Sequence, residues 1–206
     1  MIKTVVFDLS EVLIPGLIGI EKRLEDITGK PKDLIAKALG SHPYYEIDNN
    51  LEGLLKGNIT YHDYRSEFMA NLGLPCHFED VFDRECLKMF ESPYAYTEKM
   101  IQRVVGSCDL YLLSDHCEMW ANHIQKQHDF FRHFKGAVWS YEVSATKKSE
   151  IPFAALIEKF SLTPSECLFV DDNKINISIA GNMNFNTVHF SGEQSIPHIY
   201  RAIENG

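Results

Sequence analysis

The sequence predicts an α/β fold in which a doubly wound parallel sheet forms the core and an all-α segment is inserted after the first strand. Short, nearly continuous apolar runs are typical of strands buried on both faces of a parallel sheet. These runs alternate with stretches of helical periodicity, which indicates βαβ units. The strand-like runs are Thr4–Phe7, Leu110–Leu113, Cys167–Val170 and Thr187–Phe190, with Gly136–Ser140 as a weaker fifth.

Helical patterns separate the later strand-like runs. The residues that follow the second run predict a helix over Ser114–His128. Pro152–Phe160 carries apolar residues at helical spacing, and its proline suits the first turn of a helix. Ile175–Asn182 predicts a short helix that closes near Gly181.

The stretch 17–96 has several helical patterns and no clear strand run, so we expect it to form a helical lid. Its helices are predicted at Ile20–Thr28, Lys32–Leu39, Tyr61–Leu72 and Phe78–Phe90. Thr60 suits the N-cap of the third of these helices, and Tyr44–Tyr45 are expected to pack within the lid. We therefore divide the chain into a core of residues 1–16 plus 97–206 and a lid of residues 17–96.

The charge balance narrows the class of partner. The formal net charge is −9, which disfavours nucleic acid because its phosphate backbone attracts basic surfaces. A small phosphorylated substrate remains compatible, since a metal ion and a lysine reverse the field locally. No apolar run approaches the ~20 residues that cross a bilayer, so we expect no membrane partner.

Cysteine usage and the first residues favour a cytoplasmic protein. The apolar stretch near the N-terminus is interrupted by Asp8 and Glu11, which does not suit a signal peptide. The five cysteines include no CxxC pair, which is typical of reduced thiols. The nine histidines include no HExxH motif, so a structural zinc site is not expected.

Acidic side chains follow three of the predicted strands: Asp8 the first, Asp115 (after Ser114) the second, and Asp171 with Asp172 the third. Any one of them alone is equally explained as a turn or cap residue. Ligands of open parallel sheets bind beyond the carboxyl ends of the strands, and acids gathered there repel one another unless a cation joins them. Mg²⁺ prefers oxygen ligands and is held by one or two carboxylates plus substrate phosphate. The pattern predicts a magnesium site that leaves one carboxylate to attack phosphorus.

Four segments of the chain resemble the motifs of the haloacid dehalogenase (HAD) superfamily of phosphatases and related hydrolases. They are VVFDLSEVL, LLSDH, Lys147 within SYEVSATKK, and LFVDDNKIN. The motifs occur in the family's order over Val5–Asn176, and Lys147 precedes Asp171 by 24 residues, a common separation in this family. The resemblance implies a Rossmann-like core, a helical cap at residues 17–96 and a Mg²⁺-dependent hydrolase.

The resemblance also implies a role for individual residues. Asp8 matches the nucleophile that becomes an aspartyl phosphate. Ser114 matches the hydroxyl that binds the transferring phosphoryl group, with the backbone N–H of Asp115 nearby. Lys147 matches the lysine that neutralises both the nucleophile and the phosphate.

The last motif supplies the remaining site residues that the resemblance implies. Asp172, with Asp171 beside it, matches the acid pair that holds magnesium, and Asn176 matches a supporting polar position that binds substrate. Lys148 competes with Lys147 for the role of the site lysine, and spacing favours Lys147. Lys148 also stands where the family often has proline.

One position departs from the phosphatase pattern of the family. Most of its phosphatases have a second Asp two residues after the nucleophile, where this chain has Ser10. The Ser10 carbonyl can still bind magnesium and its side chain can still contact substrate, but a hydroxyl is a poor acid or base near neutral pH. Glu11, His42 and His62 are candidates to replace the missing acid, although each is also explained as a surface or capping residue.

Three functions are compatible with Ser10. The chain could be a phosphatase for esters with a good leaving group, such as an anomeric sugar oxygen or an acyl oxygen; some sugar-1-phosphate phosphatases resemble it, with DLGNV where this chain has DLSEV. It could be a haloacid dehalogenase, which attacks carbon without a metal, although the Asp171–Asp172 pair argues for a metal. It could also have lost catalysis and bind a phosphorylated ligand or a protein.

Overall fold

A five-stranded parallel sheet lies at the centre of the computed structural model, which describes residues 1–40 and 49–205. The strands are β1 (Thr4–Phe7), β2 (Asp109–Ser114), β3 (Phe134–Trp139), β4 (Cys167–Asp171) and β5 (Asn186–His189). Their order is β3-β2-β1-β4-β5, so the first strand is central and the chain winds outward in both directions from it.

Among the residues that the structure describes, five helices lie within the predicted lid segment 17–96. They are α1 (Ile20–Thr28), α2 (Lys32–Leu39), α3 (Asn50–Leu55), α4 (Tyr61–Leu72) and α5 (Glu79–Met89). The predicted N-cap is confirmed: the Thr60 hydroxyl accepts a hydrogen bond from the Asp63 backbone N–H, and the Asp63 side chain completes a capping box. His42 and Tyr44–Tyr45 lie outside the described residues.

Six further helices follow in the described part of the chain, α6 before β2 and the other five after it. They are α6 (Thr97–Val105), α7 (Glu118–Gln127), α8 (Ser140–Val143), α9 (Ile151–Phe160), α10 (Lys174–Asn182) and α11 (Ile196–Asn205). Helix α7 begins later than predicted, because Ser114 extends β2 and pairs with Trp139 across the sheet. The chain between Ser114 and α7 is therefore a loop at the carboxyl edge.

The sheet is covered by helices on both faces, which confirms the predicted doubly wound fold. Alternate residues of β1 point to opposite faces, so Val5 and Phe7 pack with α6 and α11, while Val6 packs with α9 and α10. Each large side chain buried in this way stabilises the fold by about 1.5–3 kcal/mol.

The helices of 17–96 share an apolar cluster with one face of the sheet layer. Phe68 and Phe82 stack with their ring centroids 4.4 Å apart. Trp120 of α7 contacts Tyr61 and Tyr64 of α4, at centroid distances of 5.9 and 6.4 Å. The division into a core and a separate lid stays a prediction.

Among the described residues, every helix is too short or too polar to span a bilayer.

Candidate active site

The carboxyl ends of β2, β1 and β4 are neighbours in the sheet and carry the polar residues that the sequence singled out. Asp8 follows β1 directly, Ser114 is the last residue of β2, and Asp171 is the last residue of β4. The Asp8 backbone N–H donates to the Val170 carbonyl at 2.9 Å, which continues the sheet pairing by one residue. Because the three strands are parallel, these side chains converge at one edge.

One oxygen of the Asp8 carboxylate is saturated. Oδ1 accepts hydrogen bonds from the Leu9 backbone N–H at 2.7 Å and the Ser114 hydroxyl at 3.1 Å, and it pairs with Lys147 Nζ at 2.6 Å. None of the hydrogen bonds between described residues ends on Oδ2. Burial raises the pKa of Asp8 well above its usual value; Lys147 opposes that shift, and Asp171 and Asp172 add to it.

Lys147 links Asp8 to Asp171. Its side chain is buried, and Nζ lies 2.6 Å from Asp8 Oδ1 and 2.7 Å from Asp171 Oδ2. Burial alone would lower the pKa of Lys147, but the two carboxylates outweigh it and raise the pKa above the usual lysine value. Its backbone N–H donates to the Asp115 carboxylate at 3.1 Å, which holds the lysine loop against the loop after β2. Lys148 instead points toward Glu52 of α3, with 3.9 Å between Nζ and Oε2.

The two adjacent acids after β4 differ in environment. Asp171 is fully buried and its oxygens accept four contacts: the Asn173 backbone N–H at 2.7 Å, the Asn176 amide at 3.1 Å to each oxygen, and Lys147 at 2.7 Å. These contacts fill the roughly four lone-pair sites of a carboxylate. Asp172 is half-buried, and no hydrogen bond from another described residue reaches its carboxylate. Burial, reinforced by Asp171, raises the pKa of Asp172 to about 6.

The acid cluster fits a hard divalent cation. Each of Asp8, Asp171 and Asp172 offers a carboxylate oxygen, and these three atoms lie within 4.8 Å of one another. The Ser10 backbone carbonyl accepts none of the backbone hydrogen bonds between described residues, so no backbone donor competes for it. Mg²⁺ is typically held by one or two carboxylates together with waters and substrate phosphate. Asp115 borders this cluster, and burial raises its pKa to about 6.

The turn after Asp8 is stabilised by hydrogen bonds to the side chains of Glu11 and Thr97. Glu11 adopts a left-handed backbone conformation, with φ of 61°. Its carboxylate accepts from the Gly16 backbone N–H at 2.7 Å and from the Tyr94 hydroxyl at 2.8 Å. The buried Thr97 hydroxyl donates to the Leu13 carbonyl at 2.6 Å. The Glu11 carboxylate therefore stabilises the turn through these two hydrogen bonds. His62, another candidate to replace the missing acid, is exposed on α4.

Sequence reasoning missed His116. Its ring is buried, and Nε2 lies 3.0 Å from the Ser10 hydroxyl oxygen. Burial, with a further contribution from Lys147, lowers the pKa of His116 to about 3, so the ring is neutral at physiological pH. The available signal was its place in the sequence, directly after Ser114 and Asp115 in the loop at the carboxyl edge.

Comparison with known proteins agrees with this architecture. The family model of haloacid dehalogenase-like hydrolases matches residues 2–184. No curated protein matches the chain. A predicted HAD-like family hydrolase from Porphyromonas gingivalis is 25% identical, with a TM-score of 0.73 and 98% of both chains covered.

More distant solved structures share the fold. A HAD family enzyme from Bacteroides thetaiotaomicron, in complex with magnesium and inorganic phosphate, is 20% identical, with a TM-score of 0.78 over 98% of this chain and 100% of that one. An L-2-haloacid dehalogenase from Xanthobacter autotrophicus, with chloropropionic acid covalently bound, is 17% identical, with a TM-score of 0.69 over 100% of this chain and 84% of that one. At these identities the likeness concerns the fold.

Proposed function

The chain belongs to the haloacid dehalogenase-like hydrolases, and from that premise we propose that it is a Mg²⁺-dependent phosphomonoester hydrolase that forms an aspartyl phosphate at Asp8. The observation that carries the proposal is the convergence of Asp8, Asp171 and Asp172 around Lys147, with both Asp8 and Asp171 within 2.7 Å of the lysine ammonium. Three carboxylates together with one buried lysine ammonium group suit the binding of a metal ion and a phosphate group at the same site.

The nucleophile is held in place before substrate arrives. Oδ1 of Asp8 is fixed by Leu9, Ser114 and Lys147, so the carboxylate presents its other oxygen. In the first step the carboxylate bonds to phosphorus and the leaving oxygen departs with its electron pair. In the second step water bonds to phosphorus, the Asp8–phosphorus bond breaks and the water proton passes to solvent. Positioned charge is the main requirement of such a transfer, and Lys147 and Ser114 provide it.

Asp172, Asp8 and the Ser10 carbonyl are the residues that we propose hold the magnesium ion. When bound, the ion neutralises phosphate charge and polarises the phosphoryl oxygens. Asp171 contributes differently, because its four hydrogen-bond contacts commit it to orienting Lys147 and Asn176. We therefore narrow the predicted acid pair to one direct metal ligand, Asp172, and one residue that positions the lysine.

The substrate that fits is a small phosphorylated metabolite whose leaving oxygen is weakly basic, such as a sugar phosphate joined through an anomeric oxygen. Ser10 cannot supply strong acid catalysis, so the leaving group must depart with little help. The helices of 17–96 act in this proposal as a cap that excludes water and contacts the substrate, with Asn176 and the Asp115 N–H as further contacts on the core side.

Ser10 also supports a second candidate function, a HAD-fold protein that binds a phosphorylated ligand or a protein without turnover. A haloacid dehalogenase is a lesser alternative, because the unshared oxygens of Asp172 suit a metal that dehalogenation does not require. The two hydrolases differ in where solvent oxygen goes. In isotopically labelled water, a phosphatase puts the label into released phosphate, whereas a dehalogenase puts it into the Asp8 carboxylate.

A panel of phosphate esters with Mg²⁺ tests the proposal. We expect phosphate release from sugar-1-phosphates and acyl phosphates, loss of release with EDTA, and loss of release in Asp8→Asn, which keeps the shape of the side chain. Release that survives Asp8→Asn would refute the nucleophile assignment. A folded wild-type protein that binds phosphate but releases none from any ester would favour the binding function.

A further inference from the structure

The Ser10 hydroxyl forms a hydrogen bond with the side chain of His116. Nε2 of His116 lies 3.0 Å from Ser10 Oγ, and no other described hydrogen bond involves that hydroxyl. Ser114 and Lys147 hold the Asp8 carboxylate in place, and both contact its Oδ1. Ser10 is bonded to neither of them, so it is a separate polar group beside the nucleophile.

The His116 ring is held rigidly by aromatic neighbours. Phe90, Trp139 and Trp120 surround it edge-on, at centroid distances of 5.5, 5.9 and 6.5 Å. The backbone N–H of His116 donates to the Ser140 hydroxyl at 3.1 Å, which anchors the loop. These neighbours restrict rotation of the ring, so Nε2 of His116 stays directed toward the Ser10 hydroxyl.

The surroundings of the ring determine which nitrogen carries the proton. Nδ1 is buried and has no hydrogen-bond partner among the described residues. A proton on Nδ1 would be an unpaired buried donor, the costlier kind of unpaired group. A proton on Nε2 instead has Ser10 Oγ as its acceptor at 3.0 Å. In that tautomer the hydroxyl hydrogen of Ser10 is not used by the histidine and is available to a ligand.

We propose that His116 is a positioning residue: its Nε2–H donates to Ser10 Oγ and so directs the Ser10 hydroxyl hydrogen to the leaving oxygen of the phosphate ester. This inference rests on the proposed phosphatase function. Ser114 and Lys147 lie at the nucleophile and serve the phosphoryl oxygens, which leaves Ser10 for the oxygen that departs. No proton is transferred from Ser10: the phosphorus–oxygen bond breaks, the leaving oxygen keeps the electron pair while it accepts the hydrogen bond, and it takes its proton from solvent.

The tautomer is measured by NMR of the His116 ring nitrogens in isotopically labelled full-length protein, with His116→Gln identifying the signal. We expect the proton on Nε2, and a changed Nε2 signal in Ser10→Ala, which removes the acceptor. A proton on Nδ1, alone or together with one on Nε2, would overturn the proposal. This readout does not depend on turnover.

The kinetic test uses aryl phosphates whose phenols range from weakly to strongly basic. In Ser10→Ala and in His116→Leu, we expect little change for the best leaving group and a loss of about tenfold to a hundredfold for the poorest, the effect of one hydrogen bond to a charged oxygen. The double variant should match either single variant, because both changes remove the same interaction. His116→Gln, which can still donate from its amide, should recover part of the loss.

The outcomes separate this inference from the proposed function. A folded His116→Leu that slows all esters equally would overturn the positioning role while leaving the phosphatase intact. Absence of turnover with every ester would refute the phosphatase and, with it, the leaving-group contact. Losses in the double variant that multiply those of the single variants would show that His116 does not act through Ser10, and would also overturn the proposal.

Discussion

Replacing Lys147 by methionine tests how much the buried cation contributes to the fold. Methionine is close in length and apolar, so the substitution removes the charge without opening a large cavity. Two buried carboxylates, Asp8 and Asp171, then lose a partner at 2.6 and 2.7 Å. Breaking a buried pair from one side costs about 3–5 kcal/mol. Both acids keep other hydrogen bonds, so we expect Lys147→Met to lower the free energy of unfolding by about 3 kcal/mol at neutral pH.

The assay is urea denaturation of metal-free protein, with a matched exposed pair as control. Lys3 lies 2.7 Å from Glu166, but the two side chains are 63% and 38% exposed. The same substitution at Lys3 should cost only about 0–1 kcal/mol. Asp171→Asn added to Lys147→Met should restore part of the stability, because it removes one of the unpaired charges.

Acid pH should reduce the cost of Lys147→Met. Lys147 opposes the raised pKa of Asp8, so without the lysine the folded pKa of Asp8 rises further above the unfolded value of about 3.9. The folded variant then binds more protons than the unfolded chain, so its stability falls as pH rises above about 4. A Lys147→Met variant as stable as wild type, or one that Asp171→Asn destabilises further, would refute the reasoning.

Two further predictions concern the metal site and the turn after Asp8. Because the pKa of Asp172 is about 6 without metal, calorimetric Mg²⁺ affinity should fall about tenfold per pH unit below about 6, and Asp172→Asn should bind weakly at all pH values; a flat wild-type profile would contradict this. The affinity falls toward acid pH because the raised pKa of Asp172 in the folded protein makes its ionised form unfavourable until a cation compensates the charge. Thr97→Val removes the 2.6 Å hydrogen bond to the Leu13 carbonyl and should cost about 1 kcal/mol in denaturation, whereas Thr97→Ser should cost less; equal losses would indicate lost packing instead.

The sheet could be predicted from the sequence because its strands are buried on both faces. TVVF and CLFVD are completely buried in β1 and β4, and mainly apolar side chains suit such positions until the strand reaches its polar edge. Helix α3 was not predicted from the sequence. It has six residues and contains Gly53, which weakens helical propensity, so its sequence carries only a weak helical signal.

The candidate site could be located in the sequence but not resolved in detail. Parallel strands must bring Asp8, Ser114 and Asp171 to one edge, which is a consequence of topology. The difference between Asp171 and Asp172 depends on which carboxylate faces Lys147 and Asn176, and strand periodicity does not report that. The roles of these residues stay predictions. The contact between His116 and Ser10 joins residues 106 positions apart in the chain and emerges only in three dimensions.

Trapping the reaction intermediate tests the central claim most directly. The protein is mixed with Mg²⁺ and a reactive acyl phosphate, quenched in acid, digested and mapped by mass spectrometry. We predict a phosphoryl group on Asp8 that is absent in Asp8→Asn and disappears when the reaction is left to finish. Phosphate released with no phosphorylated Asp8 at any time, or a phosphoryl group carried by another residue, would contradict the account.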